Sequence, residues 1–92
     1  MLFKSGQIVM TRAIANAMIT HCEFGVEIAS ALIRYLSGDW GDLNEHDANL
    51  NECAVRENSD RIFAAYETPY GKIWIITEWD RSYTTILFSS DY

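Results

Sequence analysis

Apolar residues recur every three or four positions through the first half of the chain, and in short runs or alternation through the last third. The first spacing marks one face of a helix and the second marks strands. Gln7 to Met10 reads as a short extended stretch, an edge strand. Thr11 follows as a helix cap whose hydroxyl can accept a first-turn N–H. Ile14, Ala17, Met18 and His21 then fall at helical spacing, which predicts a helix from Arg12 to about His21. A second helix is predicted from about Gly25 to Ser37. Its wide apolar stripe (Ile28, Ala29, Leu32, Ile33, Leu36) and narrow polar one (Glu27, Ser30, Arg34, Ser37) describe a largely buried helix. Gly38 stands where a left-handed cap is expected. Asn44 then reads as the cap of a third helix, with Glu45 and Asp47 beside the positive end of its dipole. Leu43, Leu50, Cys53 and Ala54 are expected on its inner side, and Glu45, Asn49, Glu52 and Arg56 on its outer side.

The pattern changes after residue 60. Arg61 to Glu67, Lys72 to Trp79 and Tyr83 to Phe88 are rich in Ile, Thr, Tyr, Phe and Trp, and short turns separate them: Thr68-Pro69-Tyr70-Gly71 and Asp80-Arg81-Ser82. They predict an antiparallel meander. The fold class is therefore α+β, with N-terminal helices packed on a C-terminal sheet of three antiparallel strands, four if Gln7–Met10 joins it. Both faces of the Lys72–Trp79 strand are apolar: Ile73 and Ile75 point one way, Trp74 and Ile76 the other. One face should meet the helices. The other calls for the N-terminal segment, a second copy of the chain or a partner, because monomers rarely leave large apolar patches open.

At 92 residues the chain makes one domain, residues 1–92. A domain of this size buries only about 60–65% of its unfolded surface, enough for a core but not for a deep cleft as well. No apolar run approaches the roughly 20 residues of a membrane span, and the first ten residues lack a signal-peptide pattern. A cytoplasmic protein that does not engage membranes is expected. Cys22 and Cys53 are too few for a secreted disulfide framework and read as buried free thiols.

Charge alters this picture through its position. Residues 39–60 hold seven acids (Asp39, Asp42, Glu45, Asp47, Glu52, Glu57, Asp60) and one base, Arg56, so this segment carries the whole net charge of -6. The rest of the chain is balanced. A local negative field repels nucleic acid directly and attracts the basic surfaces of proteins that bind it. An acidic helix face preceded by an acidic loop approaches the linear charge density of duplex DNA, about one charge per 1.7 Å. The same face would also serve solubility.

Cofactor and catalytic motifs do not emerge. Counted from Asp39, an EF-hand would need oxygen ligands at Gly41 and Leu43. His21 and Cys22 are adjacent, and His46 and Cys53 lie seven apart, neither being zinc-ligand spacing. No nucleophile elbow, P-loop or dinucleotide fingerprint is present. No cofactor and no enzymatic activity are expected. Trp40, between two Gly–Asp pairs, reads either as a plug at the core edge or as a surface anchor. Glu78, Trp79, Asp80 and Arg81 read either as a turn fixed by its own polar groups or as a binding edge beside Trp79.

The segments Ser59-Asp60-Arg61-Ile62, Ala65-Tyr66, Gly71-Lys72-Ile73-Trp74-Ile75-Ile76-Thr77-Glu78, Asp80-Arg81-Ser82 and Thr84-Thr85-Ile86-Leu87 are the most specific part of a wider likeness. With Gly38-Asp39-Trp40-Gly41-Asp42, Gly6-Gln7-Ile8-Val9 and Tyr92, the chain resembles a family of small bacterial proteins from plasmids, phages and other mobile elements. Members are loosely labelled plasmid-related proteins or type I restriction subunits. The second label does not fit literally, since such subunits need several hundred residues and a cofactor motif. Trp79 departs from the small residue expected there, and Ser89-Ser90 from a more usual proline. The resemblance carries over no catalytic residue. It implies a mobile-element origin, and such elements encode small acidic proteins that disable host defence. The expectation is a non-enzymatic anti-CRISPR or anti-restriction inhibitor that meets a basic surface of its protein target through Asp39, Trp40, Asp42, Glu45, Asp47, Glu52, Glu78, Trp79, Asp80 and Arg81. The alternative is a small homodimeric structural or regulatory accessory protein.

Overall fold

The computed structural model describes residues 1–92. Its elements are β1 (Gln7–Met10), α1 (Arg12–Thr20), α2 (Cys22–Leu36), α3 (Glu45–Glu57), β2 (Ile62–Thr68), β3 (Gly71–Thr77) and β4 (Tyr83–Phe88), with a 3-10 turn at Ser89–Asp91. The fold is α+β, as the change of period predicts. β2, β3 and β4 form the antiparallel meander. β1 joins as a fourth strand at the edge, but runs parallel to β4, giving a mixed sheet of order β1-β4-β3-β2 rather than an antiparallel one. Hydrophobic period reports that a segment is extended and carries no information on direction. Direction here follows from the chain's path into α1, where Thr11 N–H donates to Ile86 O at 3.1 Å.

The caps lie where the sequence places them. Thr11 Oγ1 accepts from Ile14 N–H and Asn44 Oδ1 from Asp47 N–H. Gly38 is left-handed at φ 91°, and Asp39 N–H returns to Arg34 O at 2.9 Å. Two helix faces differ from expectation. α2 starts earlier, at Cys22, and buries Phe24, Ile28, Ala31 and Tyr35, while Val26 and Ile33 are 71% and 68% exposed. The helix is apolar nearly all round, but the fold offers only one layer to pack on, so its other side faces solvent. α3 is rotated from its predicted face. It buries Asn51 and Ala54 and leaves Leu50 and Cys53 exposed. The cause is its place beside the β2 edge, where the inward position meets backbone rather than side chains. Asn51 Nδ2 donates to Phe63 O at 2.6 Å and its Oδ1 accepts from Phe63 N–H at 3.2 Å, so one side-chain amide substitutes for a neighbouring strand.

The core lies between the helices and one sheet face, with Ile62, Ala64, Tyr66, Ile73, Ile75 and Ile86 below Ile14, Phe24, Ile28 and Tyr35. A buried hydroxyl chain crosses it. Tyr35 Oη lies 2.9 Å from Ile62 O and 2.7 Å from Thr77 Oγ1. Thr77 Oγ1 lies 2.7 Å from Thr84 Oγ1, which donates to Ser5 O at 2.7 Å.

The other sheet face carries no α-helix, yet Ala65, Ile76 and Leu87 on it are buried. Phe63, Ala65, Trp74, Ile76, Thr85, Leu87 and Val9 share this face by register. The N-terminal segment does not cover it: Phe3 instead packs on Tyr35 and Trp40, at ring separations of 5.2 and 6.1 Å. Tyr92 lies against Trp74 at 4.8 Å, and Phe63 and Trp74 remain half-exposed. No helix is long and apolar enough to cross a membrane.

Candidate partner-binding surface

The acidic segment begins at a loop that the sheet edge holds rigid. Asp42 N–H donates to Ala65 O at 2.8 Å, and Ala65 N–H to Trp40 O at 3.4 Å, so the loop extends the sheet beyond β2. Gly41 is left-handed at φ 71°, and any Cβ there would press into Ala65 O and the Tyr66 ring. Asp39 is occupied structurally. Its carboxylate takes a two-pronged bond from Arg34, at 2.8 and 3.2 Å, and accepts from Gly41 N–H at 3.1 Å. The Arg34 bonds, followed by the Gly41 N–H, hold its carboxyl below the usual carboxylate range. Tyr66 Oη donates to Asp39 O at 2.6 Å, and burial pushes this phenol well above its ordinary value.

Trp40 is in the core. It is 6% exposed, packs on Tyr35 with ring centres 5.8 Å apart, and donates its indole N–H to Glu52 Oε1 at 3.2 Å. Its ring is therefore not available as a surface anchor, and Glu52 spends one oxygen holding it. A tryptophan between glycines and aspartates has the surroundings of an exposed loop, but Tyr35 and Phe3 make the pocket that draws it inward.

The remaining acids are differently placed. Asp42, Glu45, Glu57 and Asp60 are exposed and Asp47 is half-buried. The protein forms only two side-chain ion pairs, Arg34–Asp39 and Lys72–Glu67. Six of the seven acids in the segment therefore have no basic partner. They run along the loop, down α3, which is about 20 Å long, and past its left-handed cap at Asn58.

The structure joins this helix to the other predicted segment through Arg81. Arg81, at φ 60°, directs its guanidinium at five backbone carbonyls: Asp60, Glu78 and Trp79 at 2.6, 3.3 and 3.1 Å, and Ala54 and Ser59 at 3.0 and 3.2 Å. These include the end of α3, where a cation also complements the helix dipole. Arg81 Nε is buried without a partner. Arg81 is thus a clamp, not a free binding group. Glu78 closes the same turn, its N–H donating to Tyr83 O and its carbonyl accepting from Arg81 N–H. Asp80 accepts from Ser82 N–H at 3.0 Å, and hydrogen bonds from Ser82 lower its carboxyl pKa. What the turn presents is Trp79, 66% exposed, beside the C-terminal end of the acidic helix.

Cys22 and Cys53 are free and exposed, not buried. Cys53 stands on the helix side that the sequence pattern turned toward the core, and Cys22 at the first position of α2. No three His, Cys, Asp or Glu side chains gather as a metal site. His21 stacks on Tyr70, with ring centres 4.8 Å apart. Sequence reasoning missed Asn51, whose burial no hydrophobic pattern signals. It also missed a hollow of about 400 Å³ where Asp42, Leu43 and Asp47 face Phe63, Lys72 and Trp74 across the edge of the helix-free sheet face. The alternation of Phe63 with Ala65 opposite Trp74 was the available signal.

No family model matches the chain, and no curated protein or solved structure matches it.

Proposed function

We propose that this protein is a non-enzymatic inhibitor, of mobile-element origin, that binds a basic surface of a nucleic-acid-targeting defence complex such as a CRISPR effector or restriction enzyme. The observation that carries this reading is the concentration of six acids without basic partners in the loop, in α3 and just past its cap, next to the turn that exposes the indole of Trp79. Acidity that serves only solubility has no need to be confined to one helix and its flanks. Here Asp42, Glu45, Asp47 and Glu57 supply the field, Trp79 an aromatic anchor, and Asp39, Glu52 and Arg81 the rigidity. Steering by such a face makes association fast and salt-sensitive. The test is protection: a host with active restriction or CRISPR interference, expressing this protein, is challenged with targeted plasmid. Raised transformation supports the reading, and unchanged transformation across several defence types counts against it.

A homodimeric accessory protein is the second reading. It is favoured by the half-exposed Phe63 and Trp74 on the sheet face that no α-helix covers, and by Val26 and Ile33, exposed two turns apart on α2. Light scattering on wild type and Trp74→Ala tests it; a concentration-independent monomer removes it.

A further inference from the structure

The hollow beside α3 differs from the rest of the acidic surface because it combines charge with an aromatic floor. Asp42 and Asp47 stand on its loop side, and neither carboxylate makes a hydrogen bond or ion pair. Phe63 and Trp74 stand on its sheet side. The same two rings also line a second hollow of about 210 Å³ with Ile76, Tyr92 and Arg61, so an aromatic floor runs from one into the other. Lys72, the one cation at the first hollow, lies 3.8 Å from Glu67 outside the lining.

Each class of occupant meets different chemistry here. A phosphate would face two carboxylates. A wholly apolar side chain would bury those carboxylates unpaired, which is costly. A cation satisfies them. Between the two cationic side chains, the guanidinium is planar, weakly hydrated, stacks on aromatic faces and forks onto carboxylates, whereas the ammonium is a compact, strongly hydrated charge. Arg61 at the far end repels a second cation, and Trp74, Ile76 and Tyr92 suit an apolar neighbour there. We propose that this groove receives an arginine side chain, followed by an apolar one, from an extended segment of the protein partner. The proposal rests on the reading of that partner as basic and names the contact that gives it specificity.

The experiment uses protein with ¹⁵N-labelled tryptophan, whose three indole N–H signals report Trp40, Trp74 and Trp79 separately. The probes are Ac-Gly-Arg-Leu-Gly-amide and its lysine counterpart. The arginine peptide should shift the Trp74 signal saturably and leave buried Trp40 unmoved, which also confirms that each variant is folded. The lysine peptide should bind about tenfold more weakly, as should Asp42→Asn/Asp47→Asn with the arginine peptide. Glu23→Gln/Glu27→Gln, on α2 and outside both hollows, should bind like wild type. An unmoved Trp74, equal binding of both peptides, or equal weakening by the two double variants overturns the proposal. Failure of plasmid protection with a Trp74 response retained removes the defence reading and leaves the groove standing. Protection with no Trp74 response does the reverse.

Discussion

The hydroxyl chain through the core contains one hydrogen too few. Tyr35, Thr77 and Thr84 supply three hydroxyl hydrogens, yet the chain makes four contacts and ends on a carbonyl at each side, Ile62 O and Ser5 O. If Tyr35 donates to Ile62 O and Thr84 to Ser5 O, Thr77 can serve only one of its two neighbours. The other contact, at 2.7 Å, then sets two oxygens face to face. Thr77→Val removes the middle hydroxyl, keeps the shape, and leaves both carbonyls with their donors. The lost bond and the relieved contact nearly offset, so the change in stability should be within about 0.5 kcal/mol, although Thr77 is fully buried. Tyr35→Phe and Thr84→Val each remove a donor from a carbonyl and should cost about 1–2 kcal/mol. Urea unfolding followed by circular dichroism reads all three, with m unchanged. A Thr77→Val loss equal to the other two would refute the hydrogen count. Tyr35 adds a pH signature. Burial raises its phenol pKa above the unfolded value of about 10. Its contribution is therefore present below pH ~10 and lost as pH rises through the folded pKa. The alkaline loss should be shallower in Tyr35→Phe, with Tyr66, also raised by burial, keeping its share.

Two further predictions concern the edge that holds the acidic segment. Asn51→Leu fills the same space but strips Phe63 of both partners, and should cost about 2–4 kcal/mol, lowering the calorimetric Tm by ten degrees or more; an unchanged Tm would show that the amide pair is dispensable. Gly41→Ala forces a left-handed alanine against Ala65 O and should cost at least about 1–3 kcal/mol. It should also speed hydrogen exchange at the Asp42 amide; normal exchange there would mean that the loop does not depend on this glycine.

Much of the fold is legible in the sequence because local chemistry dictates it. Thr11, Asn44 and Gly38 act as caps through their own side chain or lack of one, and Tyr83 to Phe88 forms the predicted strand. What escaped depends on partners distant in sequence. β1 takes its direction from β4, more than seventy residues away. Trp40 reads as a core plug or a surface anchor, and Phe3 and Tyr35, converging on it, decide for the plug. The α3 face turns because a strand edge needs an amide. The site follows the same division. The acidity of residues 39–60 is plain in the sequence, but which acids are free and which hold the loop is decided by Arg34 and the Trp40 indole. Arg81 reads as fixing its own turn or as part of a binding edge, and its reach to the carbonyls of Ala54, Ser59 and Asp60 is what the sequence does not show.

The central claim is that free acids on the loop and α3 bind a basic defence protein. Its most direct test is capture from a host lysate across a salt series, comparing wild type with Asp42→Asn/Glu45→Gln/Asp47→Asn/Glu57→Gln. These substitutions spare the structural carboxylates of Asp39 and Glu52. The account predicts that wild type retains a nucleic-acid-targeting complex at low salt and releases it at high salt, and that the folded variant retains none. Equal capture by both proteins, with the same salt profile, would contradict it.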